Sequence, residues 1–161
     1  KDYRNYGLSA TQFLNGQIPR QYDTAKGRDP NIATVIMTGG GNDVLLGGYS
    51  CDTEEQCDRY IMDLVAGLDE LWTEMSNDGV TDVIYIRYAA GAGDVPEDTG
   101  EPQDPPPVPS ICLAGPIRCH SLNTDDLVDG DLVDGIHPSR GANDRIAAAV
   151  IELMEEQGMR R

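Results

Sequence analysis

Hydrophobic residues recur along the chain with two different periods, and their order predicts a mixed α/β fold. Residues 31–38 and 81–88 are nearly continuous apolar runs rich in β-branched side chains, a pattern typical of strands buried on both faces of a parallel sheet. Between them, residues 57–75 carry apolar side chains at helical spacing. A strand, a helix and a second strand in this order predict a parallel crossover unit.

Polar and glycine-rich segments mark the ends of these elements. Residues 53–56 have the form of a capping box ahead of the long helix, which we expect to end near residues 77–79. Three glycines, residues 39–41, end the first strand abruptly. They would let backbone amides approach a ligand, or they would form an ordinary tight turn that Asn42 caps.

Shorter elements are predicted on either side of this unit. Residues 4–9 predict a short strand, and a weakly patterned helical stretch follows and breaks at Pro19. Residues 117–122 predict the last strand, and residues 125–133 predict an acidic loop. From Ser139 onward, the apolar spacing predicts an amphipathic helix that packs on the sheet.

The composition indicates a single domain, residues 1–161, whose hydrophobic content of 39% is enough to bury a core. No apolar run reaches the roughly 18 residues that a membrane-spanning helix needs. The formal net charge of -16 opposes binding to nucleic acid, which draws its affinity from clustered Lys and Arg. Residues 93–109 combine six prolines with five carboxylates, so we expect an acidic, irregular loop at the rim of a site rather than a calcium loop.

The four cysteines form two pairs that are close in sequence, Cys51 with Cys57 and Cys112 with Cys119. No Cys-x-x-Cys motif or His/Cys cluster accompanies them, so two local disulfides are favoured over a zinc site. Disulfides of this kind predict a secreted protein, extracellular or periplasmic. Because the chain does not start with methionine, we also expect that an upstream segment has been removed.

The chemistry of the chain centres on one of its two histidines, His137, which lies three residues after Asp134 and just ahead of the last predicted helix. A carboxylate that accepts the Nδ1–H of an imidazole leaves Nε2 free as a general base, which an activated serine nucleophile requires. The alternative is a helix-capping loop with a solvated histidine. We expect His120, the other histidine, to be structural, since no carboxylate in the sequence is placed to orient it.

Three segments resemble conserved blocks of the SGNH or GDSL-type serine ester hydrolases. Residues 134–138 resemble the fifth block, which carries the triad residues, here Asp134 and His137. The Thr-Gly-Gly-Gly-Asn-Asp-Val segment resembles the third block, whose asparagine, here Asn42, donates its side-chain amide to the oxyanion hole. Residues 5–10 resemble the second block, which supplies a backbone N–H, here that of Gly7 or Ala10.

The resemblance implies a flavodoxin-like three-layer α/β/α sandwich with a parallel sheet. It also implies a secreted esterase or lipase-like hydrolase that acts on a small-molecule or carbohydrate ester and needs no metal or cofactor. One departure concerns the second block, which often ends in Ser-Gly, whereas this chain has Ser9 and Ala10. The donor there is a backbone amide, so alanine can supply it if its φ permits.

A second departure is that the first block, the Gly-Asp-Ser that bears the nucleophile, is absent from these 161 residues. In the implied fold its strand is central, between the strands expected at residues 4–9 and 31–38. We therefore expect a companion N-terminal segment or a neighbouring chain to complete the sheet.

Two other functions stay open at this point. One is a non-catalytic exported structural, binding or assembly protein built on the same scaffold, which would use strand addition. The other is a nucleotide-binding protein that uses residues 39–41. It is disfavoured, because no lysine follows at P-loop spacing and no helix is expected directly after the glycines.

Overall fold

The computed structural model describes residues 3–46, 52–87 and 109–159. The strands are β1 (Thr34–Met37), β2 (Asp82–Ile86) and β3 (Arg118–Leu122). The helices are α1 (Gln17–Arg28), α2 (Gly41–Leu45), α3 (Glu54–Asn77), α4 (Ser110–Ala114), α5 (Asp125–Val128) and α6 (Arg140–Glu156). None of the helices in these ranges is both long enough and apolar enough to cross a membrane.

The three strands form one parallel sheet, as the sequence predicts, and their order in it is β1-β2-β3. Val83 of the central strand pairs with Val35 on one side and with Cys119 on the other. In the described residues β1 pairs only with β2, so its outer edge is open. This explains why β1 is half-buried throughout, against the prediction of a strand buried on both faces.

Helices cover both faces of the sheet. Successive side chains of a strand point to opposite faces, and the two buried residues Val83 and Ile84 therefore pack into different clusters. The Val83 cluster contains Trp72 of α3 and Tyr22 of α1. The Ile84 cluster contains Val150 of α6. The chain is thus a mixed α/β structure in which α1 and α3 lie on one side of the sheet and α6 on the other.

The long helix α3 confirms the prediction from its capping sequence and apolar spacing. Thr53 is its N-cap, and the Thr53 Oγ1 accepts a hydrogen bond from the Gln56 backbone N–H at 3.3 Å. The helix ends at Asn77, where it was expected to end. Trp72 is a core residue, as predicted, and its Nε1–H lies 3.2 Å from the sulfur of Met37.

The strand predicted at residues 4–9 does not form. The side chain of Asn5 accepts a hydrogen bond from the Gly7 N–H at 2.8 Å, and such a local turn competes with extended pairing. The helical stretch predicted to end at Pro19 is also wrong in its position, because helix α1 begins only at Gln17 and continues to Arg28. Pro19 is the third residue of α1, a position where the backbone N–H has no partner within the helix, so proline is tolerated there.

Two short helices lie where a turn and a loop were predicted, and a third, α4, lies in a segment for which no element was predicted. Helix α2 begins at Gly41, the last of the three glycines, where no helix was expected, and α5 occupies the start of the predicted acidic loop. Helix α4 depends on a partner from far along the chain, because the carboxylate of Asp69 accepts hydrogen bonds from the Ser110 hydroxyl and the Ile111 N–H. The last helix, α6, begins after Ser139 as predicted, and the Ser139 Oγ accepts from the Ala142 N–H.

The disulfide between Cys112 and Cys119 is present, as predicted, with Cα atoms 5.5 Å apart. It joins α4 to β3 and so fixes the short connection between them. Cys57 is also disulfide-bonded, and its predicted partner, Cys51, lies outside the described residues. The predicted acidic loop at residues 93–109 lies outside them as well, apart from Pro109.

Candidate active site

Asp134 and His137 lie on the turn that leads into α6, and their side chains are in direct contact. The His137 Nδ1 is 2.7 Å from Oδ2 of Asp134. The other carboxylate oxygen, Oδ1, accepts hydrogen bonds from the backbone N–H groups of His137 at 2.8 Å and Ile136 at 3.1 Å. The turn itself therefore holds the carboxylate in place against the imidazole.

Local sequence explains why the turn closes in this way. Gly135 has a φ of +80°, a left-handed conformation that favours glycine. The Val133 N–H donates to the His137 carbonyl at 2.8 Å, and the Ser139 N–H donates to the Asp131 carbonyl at 2.9 Å. These bonds form a small closed loop at the N-terminus of α6, so the orientation of the histidine is set within nine residues of sequence, 131–139.

The hydrogen bonds also keep the Asp134 carboxyl group ionised. The backbone N–H of His137, followed by its ring N–H, stabilises the ionised carboxylate and lowers the pKa of Asp134 to about 2. An ionised Asp134 can only accept, so Nδ1 donates to it, and in the neutral form of the ring this tautomer carries its lone pair on Nε2. The His137 side chain is 76% exposed, and no described residue forms a hydrogen bond to Nε2. The arrangement is that of an oriented and accessible general base.

Asn42 lies at the start of α2, beside the segment that resembles the second block. Its Nδ2 group donates to the Thr11 carbonyl at 3.1 Å, which uses one of its two amide hydrogens. In return, the Gln12 Nε2 donates to the Asn42 carbonyl at 3.2 Å. Residues 11 and 12, which directly follow the segment that resembles the second block, are thus held against Asn42, and among the described residues one Asn42 side-chain hydrogen has no acceptor.

Ala10 adopts a backbone conformation that usually belongs to glycine, with a φ of +57°. An alanine here was expected from the sequence to supply its backbone amide if its φ permits, and the φ is one that glycine adopts more readily than alanine. In the described residues the Ala10 N–H forms no hydrogen bond, whereas the Gly7 N–H is bonded to the Asn5 side chain. Of the two backbone donors predicted from the sequence, Ala10 is the one that is available.

The glycine turn after β1 is required by packing. Gly39 and Gly40 are buried, and a Cβ atom on Gly39 would lie 2.7 Å from Cδ1 of Ile18. A Cβ atom on Gly40 would lie 2.9 Å from the Tyr60 hydroxyl of α3. The Tyr85 hydroxyl of β2 also donates to the Gly39 carbonyl at 2.6 Å. The alternative of a tight structural turn therefore accounts for these glycines without a bound ligand.

Both parts of the candidate site lie at the carboxyl end of the sheet. Asn42 comes shortly after the carboxyl end of β1, and His137 comes after β3 and α5. Helix α5 is held at this end of the sheet, because the hydroxyl of its cap residue Thr124 donates to the carbonyl of Arg87, just beyond β2, at 2.8 Å. Neighbouring strands are about 4.8 Å apart, so β1 and β3 are separated by roughly 10 Å. In the described ranges no hydrogen bond or ion pair joins Asn42 to His137.

No family model, curated protein or solved structure matches this chain. The roles expected for Asp134, His137, Asn42, Ala10 and Gly7 therefore rest on the resemblance of short segments and on the geometry of these residues.

The second histidine has a carboxylate partner that the sequence analysis did not find. His120 Nε2 lies 3.4 Å from Oδ1 of Asp82, so the expectation that no carboxylate is placed to orient it was wrong. The same Oδ1 lies 2.8 Å from Nε of Arg118, so a guanidinium and an imidazole flank a carboxylate whose side chain is only 3% exposed. Burial alone would raise the pKa of Asp82, but hydrogen bonds from Arg118, Thr81 and His120 lower it overall.

The Asp82 cluster lies at the amino ends of β2 and β3, which is the end of the sheet opposite to Asn42. Its position and its bonds to strand residues make it a structural ion cluster. Among residues 3–46, 52–87 and 109–159, no group of three or more His, Cys, Asp and Glu side chains is placed to hold a metal ion.

Proposed function

We propose that this chain carries the general base and the oxyanion donors of an SGNH or GDSL-type serine hydrolase that cleaves carboxylic esters. The observation that supports this most directly is the 2.7 Å contact between His137 Nδ1 and Asp134 Oδ2 with Nε2 left free. Sequence resemblance gives the two residues their roles. A parallel sheet with helices on both faces agrees with the flavodoxin-like sandwich of that family.

In this mechanism, Nε2 of His137 takes the proton of a serine hydroxyl as the serine oxygen attacks the ester carbonyl. When the tetrahedral intermediate collapses, the same nitrogen returns the proton to the leaving alcohol, and an acyl-serine remains. Water then attacks this acyl group with His137 again as the base. Asp134 keeps the ring in the required tautomer and stabilises the imidazolium, which its low pKa permits because it stays ionised.

The oxyanion of the tetrahedral intermediate would be held by the second Nδ2 hydrogen of Asn42 and by the N–H of Ala10. Neither group has another hydrogen-bond partner in the described residues. Amide donors aimed at a developing oxyanion each contribute about 10²- to 10³-fold to turnover. The substrate class is a short acyl ester or an acetylated sugar.

The serine itself would come from outside these 161 residues, which contain no Gly-Asp-Ser sequence. A strand that carries it would pair with the open outer edge of β1, next to the glycine turn and Asn42. The Cys112–Cys119 disulfide supports placement in an oxidising compartment, so we propose that the protein is secreted, extracellular or periplasmic.

The open edge of β1 also supports a second candidate, a non-catalytic exported assembly protein. In that case a strand from a partner chain would complete the sheet, and no serine would be activated. The Asp134–His137 pair would then serve only to cap the turn before α6.

Ester turnover by the full-length protein distinguishes these two functions. The hydrolase proposal predicts that p-nitrophenyl acetate is cleaved, that His137→Ala abolishes cleavage, and that His120→Ala, which changes the other histidine, does not. If a folded wild-type protein has no turnover, or if His137→Ala retains it, the hydrolase proposal is wrong and the assembly candidate takes its place.

A further inference from the structure

Asp43 is a buried carboxylate that the proposed chemistry does not use. It is only 2% exposed, yet it belongs to the short surface helix α2, directly after Asn42. Its two oxygens accept hydrogen bonds from backbone N–H groups about thirty positions away in sequence. Oδ2 accepts from Phe13 at 2.8 Å and Oδ1 accepts from Leu14 at 2.7 Å.

Burying a carboxylate costs free energy unless its oxygens are hydrogen-bonded, so these two bonds are needed to keep Asp43 in its buried position. The backbone N–H groups of Phe13 and Leu14 also need this carboxylate, because no described residue offers them another acceptor. Without it, the N–H of the buried residue Phe13 would have no hydrogen-bond partner there. Asp43 therefore joins the segment 10–14 to the start of α2 through two charge-assisted bonds.

The joined segments are the two that carry the proposed oxyanion donors. On one side, Ala10 precedes Thr11, whose carbonyl accepts from Asn42 at 3.1 Å. On the other side, Asn42 precedes Asp43 and accepts from Gln12 at 3.2 Å. Each donor thus lies within four residues of the two bonds made by Asp43. A shift of either segment would change the distance between the Asn42 amide and the Ala10 N–H.

We infer that Asp43 is a positioning residue, which holds the segment 10–14 against α2 so that the Asn42 and Ala10 donors face the same oxyanion. The inference rests on the proposed function for the identity of the two donors. Asp43 contacts neither substrate nor nucleophile and acts only through its neighbours. Misplacing a catalytic group by about 1 Å can cost about 10²-fold in rate, so an indirect role of this kind has a large expected effect.

The test is Asp43→Asn in the full-length protein, because asparagine has the same shape but offers only one oxygen to the two N–H groups. We expect kcat for p-nitrophenyl acetate to fall by about 10- to 100-fold with KM nearly unchanged. Asp82→Asn is the matched control, because Asp82 is equally buried but lies at the opposite end of the sheet. It should lower the melting temperature and leave kcat within twofold.

A double substitution separates positioning from general stability. If Asp43 acts through Asn42, then Asn42→Ala combined with Asp43→Asn should be little slower than Asn42→Ala alone. Fully multiplicative losses, or an unchanged kcat in Asp43→Asn, would overturn the inference. If Asp43→Asn does not fold, Asp43→Glu takes its place, because it keeps the charge but displaces the two acceptor oxygens, and an unchanged kcat there would overturn the inference equally.

A measurement that does not require activity keeps the two proposals apart. If the wild-type protein has no ester turnover, the proposed function fails, and NMR then decides the role of Asp43. The Asn42 side-chain NH₂ signals should shift in Asp43→Asn, and the Phe13 and Leu14 amides should exchange faster with solvent, while Asp82→Asn changes neither. Asn42 signals that stay in place in Asp43→Asn would show that Asp43 does not position Asn42.

Discussion

The imidazole of His137 is 2.7 Å from the carboxylate of Asp134, and both residues lie in a nine-residue loop, 131–139, that backbone hydrogen bonds close on itself. The carboxylate is held from one side by two backbone N–H groups and from the other by the ring. The same hydrogen bonds therefore orient the Asp134 carboxylate and keep it ionised. The consequences for rate and for pH dependence can be tested separately.

Replacing Asp134 with asparagine should remove the orienting charge while leaving the turn intact. An amide cannot keep the ring in the required tautomer or stabilise the imidazolium, so we expect ester turnover by the full-length protein to fall by about 10²- to 10⁴-fold. Asp131→Asn, in the same loop but paired with Arg145, is the control and should retain activity within twofold. Equal losses in both variants would show that the effect comes from the loop and not from the triad.

The low pKa of Asp134 predicts how the native state responds to acid. Because the folded pKa of about 2 lies below the usual value of 3.8, Asp134 contributes stability above pH 4 that is lost as the pH falls towards 2. Carbon-13 NMR titration of its carboxyl group should give a midpoint near 2 in the folded protein. In His137→Ala the midpoint should rise, since the ring bond is gone. A midpoint at the usual value in the wild type would contradict the observed hydrogen bonds.

Replacing Ala10 with glycine should make the folded protein more stable. The Ala10 φ of +57° is unfavourable for any residue with a Cβ atom, and relief of that strain exceeds the added entropy of the unfolded chain. We expect Ala10→Gly to raise the free energy of unfolding by about 1 kcal/mol in urea denaturation. Ala148→Gly, on the exposed side of α6, is the control and should lower it by about 1 kcal/mol. Effects of the same sign would show that Ala10 is not strained.

Arg118 should matter for stability because it neutralises the buried carboxylate of Asp82. Arg118→Met leaves that carboxylate with only Thr81 and His120, so we expect a loss of about 2 kcal/mol in the free energy of unfolding, with little change in turnover. The pKa of Asp82 should rise at the same time. Arg59→Met removes an exposed ion pair with Glu55 and should cost less than about 0.5 kcal/mol. Similar losses for both arginines would refute the role given to the Asp82 cluster.

The sequence predicted the elements whose signals are local. The two central apolar runs, the capped helix α3 and the final helix α6 all form, because each is specified by periodicity and by a cap within a few residues. The Cys112–Cys119 disulfide belongs to the same group, since only seven positions separate its residues. The contact between Asp134 and His137 is equally local, because His137 is only three residues after Asp134.

The features that sequence analysis missed depend on distant partners. Helix α4 is capped by Asp69, about forty residues upstream, and the buried role of Asp43 depends on backbone groups of Phe13 and Leu14. Asp82 reaches His120 only because β2 and β3 pair in one particular register. The failed strand at residues 4–9 shows the reverse case, in which a local turn at Asn5 overrides a pattern that resembled a strand.

In the proposed function, His137 activates a serine on a strand that pairs with this chain. The most direct test is the intact mass of the full-length, folded protein before and after treatment with a fluorophosphonate, followed by peptide mapping of the adduct. The proposal predicts one adduct, on the serine of a Gly-Asp-Ser segment, which is lost in His137→Ala and retained in His120→Ala. A folded wild-type protein that takes up no adduct, or one labelled equally in His137→Ala, would contradict it.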